Sequence, residues 1–172
     1  MAHRFGKFAL GAALAAALAA SPAAARSVGS WEVARTGPDA CMMSAMFGSG
    51  ESSITIAFLW HAGEHRLEAL AAGKDLQDLR EGEGDTAPFE LTFDGEVPYK
   101  QWVSEQAPFT QLRGGLDGIV GDWGSAHSAD LAKALTASHN VRLKIGQTDL
   151  GSFDISGADA AYRELLRCGE RA

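Results

Sequence analysis

Alternation of apolar and polar residues runs through most of the chain after residue 30, and it reads as a series of short strands. Residues 30–35 put Trp31 and Val33 on one face, and a turn at Thr36-Gly37-Pro38-Asp39 separates them from a second strand at 41–47. The clearest pattern lies at 52–60. There Ile54, Ile56, Phe58 and Trp60 take one side while Thr55, Ala57 and Leu59 take the other. Both sides are largely apolar, which predicts a central strand covered on two faces. Residues 61–65, His-Ala-Gly-Glu-His, make a hairpin connection to a returning strand at 66–72, with Leu67, Ala69 and Ala71 inward. Residues 74–80 have room for one or two helical turns, and the Gly-broken acidic stretch 81–85 reads as a surface loop.

The second half repeats the alternation. Phe89, Leu91 and Phe93 share a face in 88–94, and Asp94-Gly95 predicts a tight hairpin. Residues 96–103 then pair back with Val97 and Tyr99 inward, which leaves Trp102 out of phase and open to exposure, although core packing is the commoner fate of an aromatic. The stretch 111–124 carries Gly114, Gly115, Gly118, Gly121 and Gly124, so it predicts a loop with a short strand at 118–120. Ser128 is the expected N-cap of a helix bearing Leu131, Ala134, Leu135 and Ser138. Val141, Leu143 and Ile145 alternate as a strand, 146–149 turns, and 150–155 is the last strand. Ser156, with Asp159 three residues on, predicts the start of a final helix whose Ala161, Leu165 and Cys168 lie on one face. No internal repeat or linker interrupts this order. The expected fold class is α+β and β-rich: an antiparallel sheet or sandwich with one inserted helix and one C-terminal helix.

The N-terminus changes the picture. Arg4 and Lys7 precede an Ala-rich apolar run over 8–20, Pro22 breaks it, and Ala23-Ala24-Ala25 offers a small-residue cleavage site. Residues 1–25 therefore read as a secretory signal peptide and 26–172 as a single exported globular domain, periplasmic or secreted. The apolar run falls short of the roughly 20 residues of a membrane span, so no transmembrane segment is expected after cleavage. In that compartment Cys41 and Cys168 are most simply a disulfide, with a pair of free thiols as the competing reading. Closing so long a loop removes unfolded-chain entropy worth about 4–5 kcal/mol in the chain-entropy model.

The formal net charge is −7, and it grows more negative once Arg4 and Lys7 leave with the leader. Such a surface repels nucleic-acid phosphates and anionic lipid, and suits a soluble protein or one that meets a cationic partner.

Candidate chemistry is sparse. His61 and His65 flank a turn with Met42, Met43 and Met46 upstream, a mixture of imidazole and thioether that suits copper. The spacing matches no metal motif, HExxH included, and alternation sets Met42 and Met43 on opposite faces. Surface histidines and core methionines are the plainer reading. Asp122, Ser125, His127 and Ser128 crowd one loop, whereas a hydrolase triad converges from separate elements, and no G-x-S-x-G elbow is present. Glu81, Glu83 and Asp85 lack the spacing of a calcium loop. The glycine-rich stretch lacks the Lys-Ser/Thr ending of a phosphate cradle. Tyr99 and Trp102, with Phe109 after them, form either a binding surface or part of the core. No catalytic residue or cofactor is predicted.

Two segments carry a resemblance. One is Ser-Trp-Glu-Val at 30–33, followed by Cys41. The other is the strand–turn–strand–helix unit VRLKIGQTDLGSFDISGADAAYRELLRC at 141–168. Together they resemble small exported bacterial proteins of the invasion-associated locus B type. The resemblance implies a compact β-rich envelope domain with a helix before its closing strands, sometimes linked to host-cell contact; it carries over no functional residue. The expected function is a non-enzymatic binding module with a protein or envelope partner. The alternatives are an inhibitor of a cationic enzyme, a small hydrolase using His127 or the acidic loop, and a copper-binding protein.

Overall fold

Residues 26–112 and 115–170 are described by the computed structural model, and the predicted leader lies outside them. Ten strands form one antiparallel sheet. A meander opens it: β1 (Arg26–Val28), β2 (Trp31–Arg35), β3 (Ala40–Phe47), β4 (Ile54–His61) and β5 (Arg66–Gly73). Helix α1 (Asp75–Glu83) leads to β6 (Thr86–Phe93), β7 (Gln101–Gln111) and β8 (Asp117–Asp122). Helix α2 (Ser128–Thr136), strands β9 (Asn140–Ile145) and β10 (Thr148–Asp154), and helix α3 (Ala158–Glu170) complete the chain. The strand order is β1-β2-β3-β4-β5-β8-β7-β6-β9-β10. Strand β4 pairs with β3 and β5 along its whole length, in the interior position its two apolar faces predict.

One face of this sheet is continuous and apolar. It carries Trp31, Val33, Met43, Ile56, Phe58, Ala69, Ala71 and Ile119, then Phe89, Leu91, Phe93, Val141 and Leu143, all buried. The sheet curls about that face. Phe47 of β3 and Phe153 of β10 stand near opposite ends of the strand order, yet their rings meet at 5.3 Å. The helices close the interior. Leu76 of α1, Leu131 and Leu135 of α2, and Ala161 and Leu165 of α3 join the inward strand residues in one cluster. Burying this many large apolar side chains is the main stabilising term, at roughly 1.5–3 kcal/mol for each one fully withdrawn from water.

The disulfide pairs Cys41 with Cys168, their Cα atoms 6.1 Å apart, and fastens α3 to the inner face of β3. Arg26 adds a 2.7 Å ion pair to Glu164, and Arg35 donates to the Cys168 carbonyl oxygen at 3.0 Å. No helix among the described residues is long and apolar enough to cross a membrane.

Several expectations are corrected. The short strand expected at 118–120 is present but longer: β8 is an interior strand that joins the two halves of the sheet through β5 and β7. Its glycines answer to close packing: a Cβ on Gly121 would meet the Phe89 ring and lie 2.7 Å from Trp123 Cη2, and one on Gly118 would lie 3.2 Å from the Ala71 carbonyl oxygen. Of the returning strand expected at 96–103, only residues 101–103 pair with β6. Strand β7 starts at Gln101, after a longer connection than a two-residue turn; Val97 packs against the core as expected, but Tyr99 is 59% exposed and Trp102 only 6%. Helix α1 runs through Glu83, into the predicted acidic loop.

Ser128 is not an N-cap. A short 3-10 turn over Ser125–His127 leads into α2, and the Ser128 hydroxyl accepts from the Leu67 backbone N–H at 2.8 Å and donates to the Gly124 carbonyl oxygen. Helix α3 begins at Ala158, two residues beyond Ser156, whose N–H donates to Asp154 Oδ1.

Candidate functional site

Tyr99 is one of three large apolar side chains, with Met46 and Leu116, that the described structure leaves substantially exposed. It sits at the end of the β6–β7 connection, and both ends of that connection are pinned. At the start, Asp94 Oδ1 accepts from the backbone N–H groups of His139 and Asn140, both at 2.9 Å, and Asp94 Oδ2 accepts from Asn140 Nδ2 at 2.8 Å. Hydrogen bonds from the Asn140 backbone and side chain, and then from His139, hold the Asp94 carboxyl below its ordinary pKa. The next residue, Gly95, donates its N–H to Ser138 Oγ at 3.0 Å, and that hydroxyl donates to the Ala134 carbonyl oxygen. At the far end the Trp102 indole N–H donates to the Tyr99 carbonyl oxygen at 3.1 Å.

The Tyr99 ring stands on an aromatic stack. It meets Trp102 edge-on at 6.2 Å, Trp102 meets Trp123 edge-on at 5.9 Å, and Trp123 meets Phe89 in the core at 6.2 Å. Below residue 109, β7 no longer pairs with β8, and Trp102 and Trp123 pack beside that parting of the strands. The tyrosine is therefore an exposed ring on a rigid footing, with exposed Glu96, Pro98 and Lys100 around it. Trp102, which the alternation sets out of phase with Tyr99, is its support. Phe109 is half-buried against the core.

The histidine–methionine set does not converge as a whole: Met42, opposite Leu59, shares the face of His61 one diagonal step away, but Met46 stands far from both. His61 lies opposite Ala40, and Met46 lies opposite Thr55, so about 20 Å of strand separates them at 3.3 Å per residue. His65 adopts a left-handed backbone (φ 50°) and packs its ring against Trp60 at 6.0 Å. His61 Nε2 lies 3.0 Å from Glu68 Oε2 instead. Glu68, itself buried, also takes Arg66 Nη1 at 3.1 Å, and the same nitrogen reaches Asp122 Oδ2 at 2.9 Å. Burial opposes the charge on Arg66, and Glu68 and Asp122, then Glu64, outweigh it and raise its pKa above the ordinary value. This cluster pairs its charges with one another. Among the described residues no three His, Cys, Asp or Glu side chains come together as a metal site.

The polar groups of the other candidate sets bond mainly to backbone and to neighbouring side chains. Asp122 Oδ1 accepts from the Gly124 N–H while its other oxygen holds Arg66, and Ser128 is engaged with Leu67 and Gly124. Glu81 accepts from Gln77, Asp85 stands in solvent 3.9 Å from Arg80, and Glu83 lies over Gly146. A polar hollow of about 320 Å³ opens beside α1 and the β7–β8 turn, where Arg80 pairs with the buried Asp117 at 2.9 Å.

Comparison with protein-family models, with characterised proteins and with solved structures finds no match for this chain.

Proposed function

We propose that this chain is an exported, non-enzymatic binding domain of the cell envelope, and that Tyr99 is the anchor with which it holds a protein partner. The observation that carries the reading is the exposed Tyr99 ring, edge-on to a buried Trp102 and on a connection tied down by Asp94. A tyrosine presents a large amphipathic surface with few rotatable bonds, and one already held in place loses little further freedom on binding. Polar Glu96 and Lys100 beside it give the solvent-facing rim that protein interfaces commonly show.

Export is supported by the leader-like residues 1–25 and by the Cys41–Cys168 disulfide, a bond that persists in oxidising compartments. The sequence resemblance to locus B-type envelope proteins agrees with that placement. Fractionation of cells expressing the full chain tests it: the reading expects an envelope or secreted species whose N-terminus is near Arg26. An intact cytosolic chain would contradict it. Pull-downs from envelope extract then compare the native protein with Tyr99→Ala, and the reading expects the bound partner to be lost from the variant.

A further inference from the structure

Strand β7 outruns its neighbour. It has 11 residues against 6 in β8, and the two pair only at residues 109–111. At the far end of β8 the chain leaves the sheet: Asp122 Oδ1 accepts from the Gly124 N–H, Gly124 turns at φ 75°, and the 3-10 turn over Ser125–His127 leads away into α2. Residues 101–105 of β7 therefore have β6 on one side and, among the described residues, no strand on the other.

The register shows which backbone groups stand open there. The Phe93 N–H donates to the Lys100 carbonyl oxygen at 2.8 Å, so Lys100, and with it Trp102 and Ser104, turn their backbone groups toward β6. The alternate residues Gln101 and Val103 turn theirs the other way. The far side of β6 agrees. The Asp94 N–H donates to the Asn140 carbonyl oxygen and the Gly146 N–H to that of Pro88, so Thr92 and Glu90, opposite Gln101 and Val103, are spent on β9. Two N–H and two C=O groups thus stand in a row with no partner among the described residues. Solvent reaches them: Gln101 and Glu105 are exposed, and Val103 and Ser104 are half-buried.

We infer that this overhang receives an extended, basic segment of the partner protein, which adds itself to β7 as a strand in line with β8. This rests on the reading of the chain as a protein-binding domain and supplies the form of what binds. A row of N–H and C=O groups at strand spacing is matched by another strand, whereas a helix keeps its backbone groups for itself. Position agrees. Tyr99 stands two residues before Gln101, roughly 7 Å along an extended chain, so one segment reaches both the open edge and the exposed ring. Charge selects the kind of segment. Exposed Glu96 and Glu105 outnumber Lys100 along this stretch, in a chain of net charge −7. A second copy would bring the same acidic edge against itself, which charge disfavours.

Amide hydrogen exchange with defined peptides tests it. In the free protein the Gln101 and Val103 amides should exchange freely while that of Trp102 stays protected. A peptide of alternating Val and Lys, blocked at both ends, should bind and slow exchange at Gln101 and Val103. Its fully N-methylated form, which keeps the side chains but has no N–H to donate, should bind at least about tenfold more weakly, as should the counterpart with Glu in place of Lys. Val103→Pro should weaken binding to the same degree, since it removes an N–H that β6 does not use and leaves the ladder intact. Gln101→Pro, at the first residue of the strand, is the second variant. Binding that protects both amides and is lost in Val103→Pro but not in Tyr99→Ala upholds the edge and removes the anchor. Binding lost in Tyr99→Ala while both amides still exchange freely keeps the anchor and overturns the edge. Protection of both amides in the free protein also overturns it, because the edge is then already taken by this chain or by a second copy. So does the absence of peptide binding at millimolar concentration.

Discussion

Cys41 on β3 and Cys168 on α3 face each other from the two ends of the domain, and the bond between them ties the last helix to the first part of the sheet. Packing assists it, since Ala161 and Leu165 on the same helix are fully buried and Arg26 and Arg35 reach across to α3. Replacing both cysteines with serine should therefore leave a folded but weaker protein, destabilised by about 2–5 kcal/mol in urea unfolding. The native protein should weigh two hydrogens less than its dithiol form under non-reducing mass spectrometry. Coincident unfolding curves for the native and substituted proteins would mean that packing alone holds α3.

Gly121 gives a test of the core beneath the candidate site. An added methyl group there would run into the Phe89 and Trp123 rings, both part of the stack that supports Tyr99. Gly121→Ala should cost about 1–3 kcal/mol through overpacking. Gly63→Ala is the control: a Cβ there meets nothing within 4 Å, and its effect should stay within about 0.5 kcal/mol. Equal stability for the two variants would show that the aromatic stack yields freely.

The carboxylate of Asp94 makes the pinned connection sensitive to acid. Its folded pKa lies below the ordinary value because Asn140 and His139 donate hydrogen bonds to the charged form. A depressed folded pKa contributes stability that is fully present above the unfolded pKa of about 3.9 and is lost as pH falls through the folded value. Near neutral pH, Asp94→Ala should be less stable than the native protein by about 1 kcal/mol, as for other side chains that satisfy free backbone N–H groups. The gap should close as pH drops below 4. A gap independent of pH would assign the effect to packing instead of charge.

Much of this architecture is legible in the sequence. The alternating runs of β2 to β6 and of β9, and the Cys168 face of α3, follow from apolar periodicity, and the leader-like N-terminus made the cysteine pairing the simplest expectation. The failures share one cause: a residue's role is set by what packs on it from far along the chain. Gly121 looks like a loop residue until Phe89 and Trp123 are seen to need its space. Ser128 has the sequence context of a helix cap, yet its hydroxyl serves the backbone of Leu67 on another strand. The candidate site was half visible. Tyr99 and Trp102 stood out as aromatics, but a connection longer than the Asp94-Gly95 signal suggests exchanged which of them faces solvent.

A photo-crosslinking residue placed at position 99 tests the central claim most directly. Expressed in the native envelope and irradiated, it should give one discrete adduct with a partner protein. Excess native protein should suppress that adduct, and excess Tyr99→Ala protein should not, because losing an anchoring aromatic costs about 2 kcal/mol, or roughly 30-fold in affinity. The same crosslinker at exposed Gln147 should give no such adduct. An adduct formed equally from both positions, or none from position 99, would contradict the account.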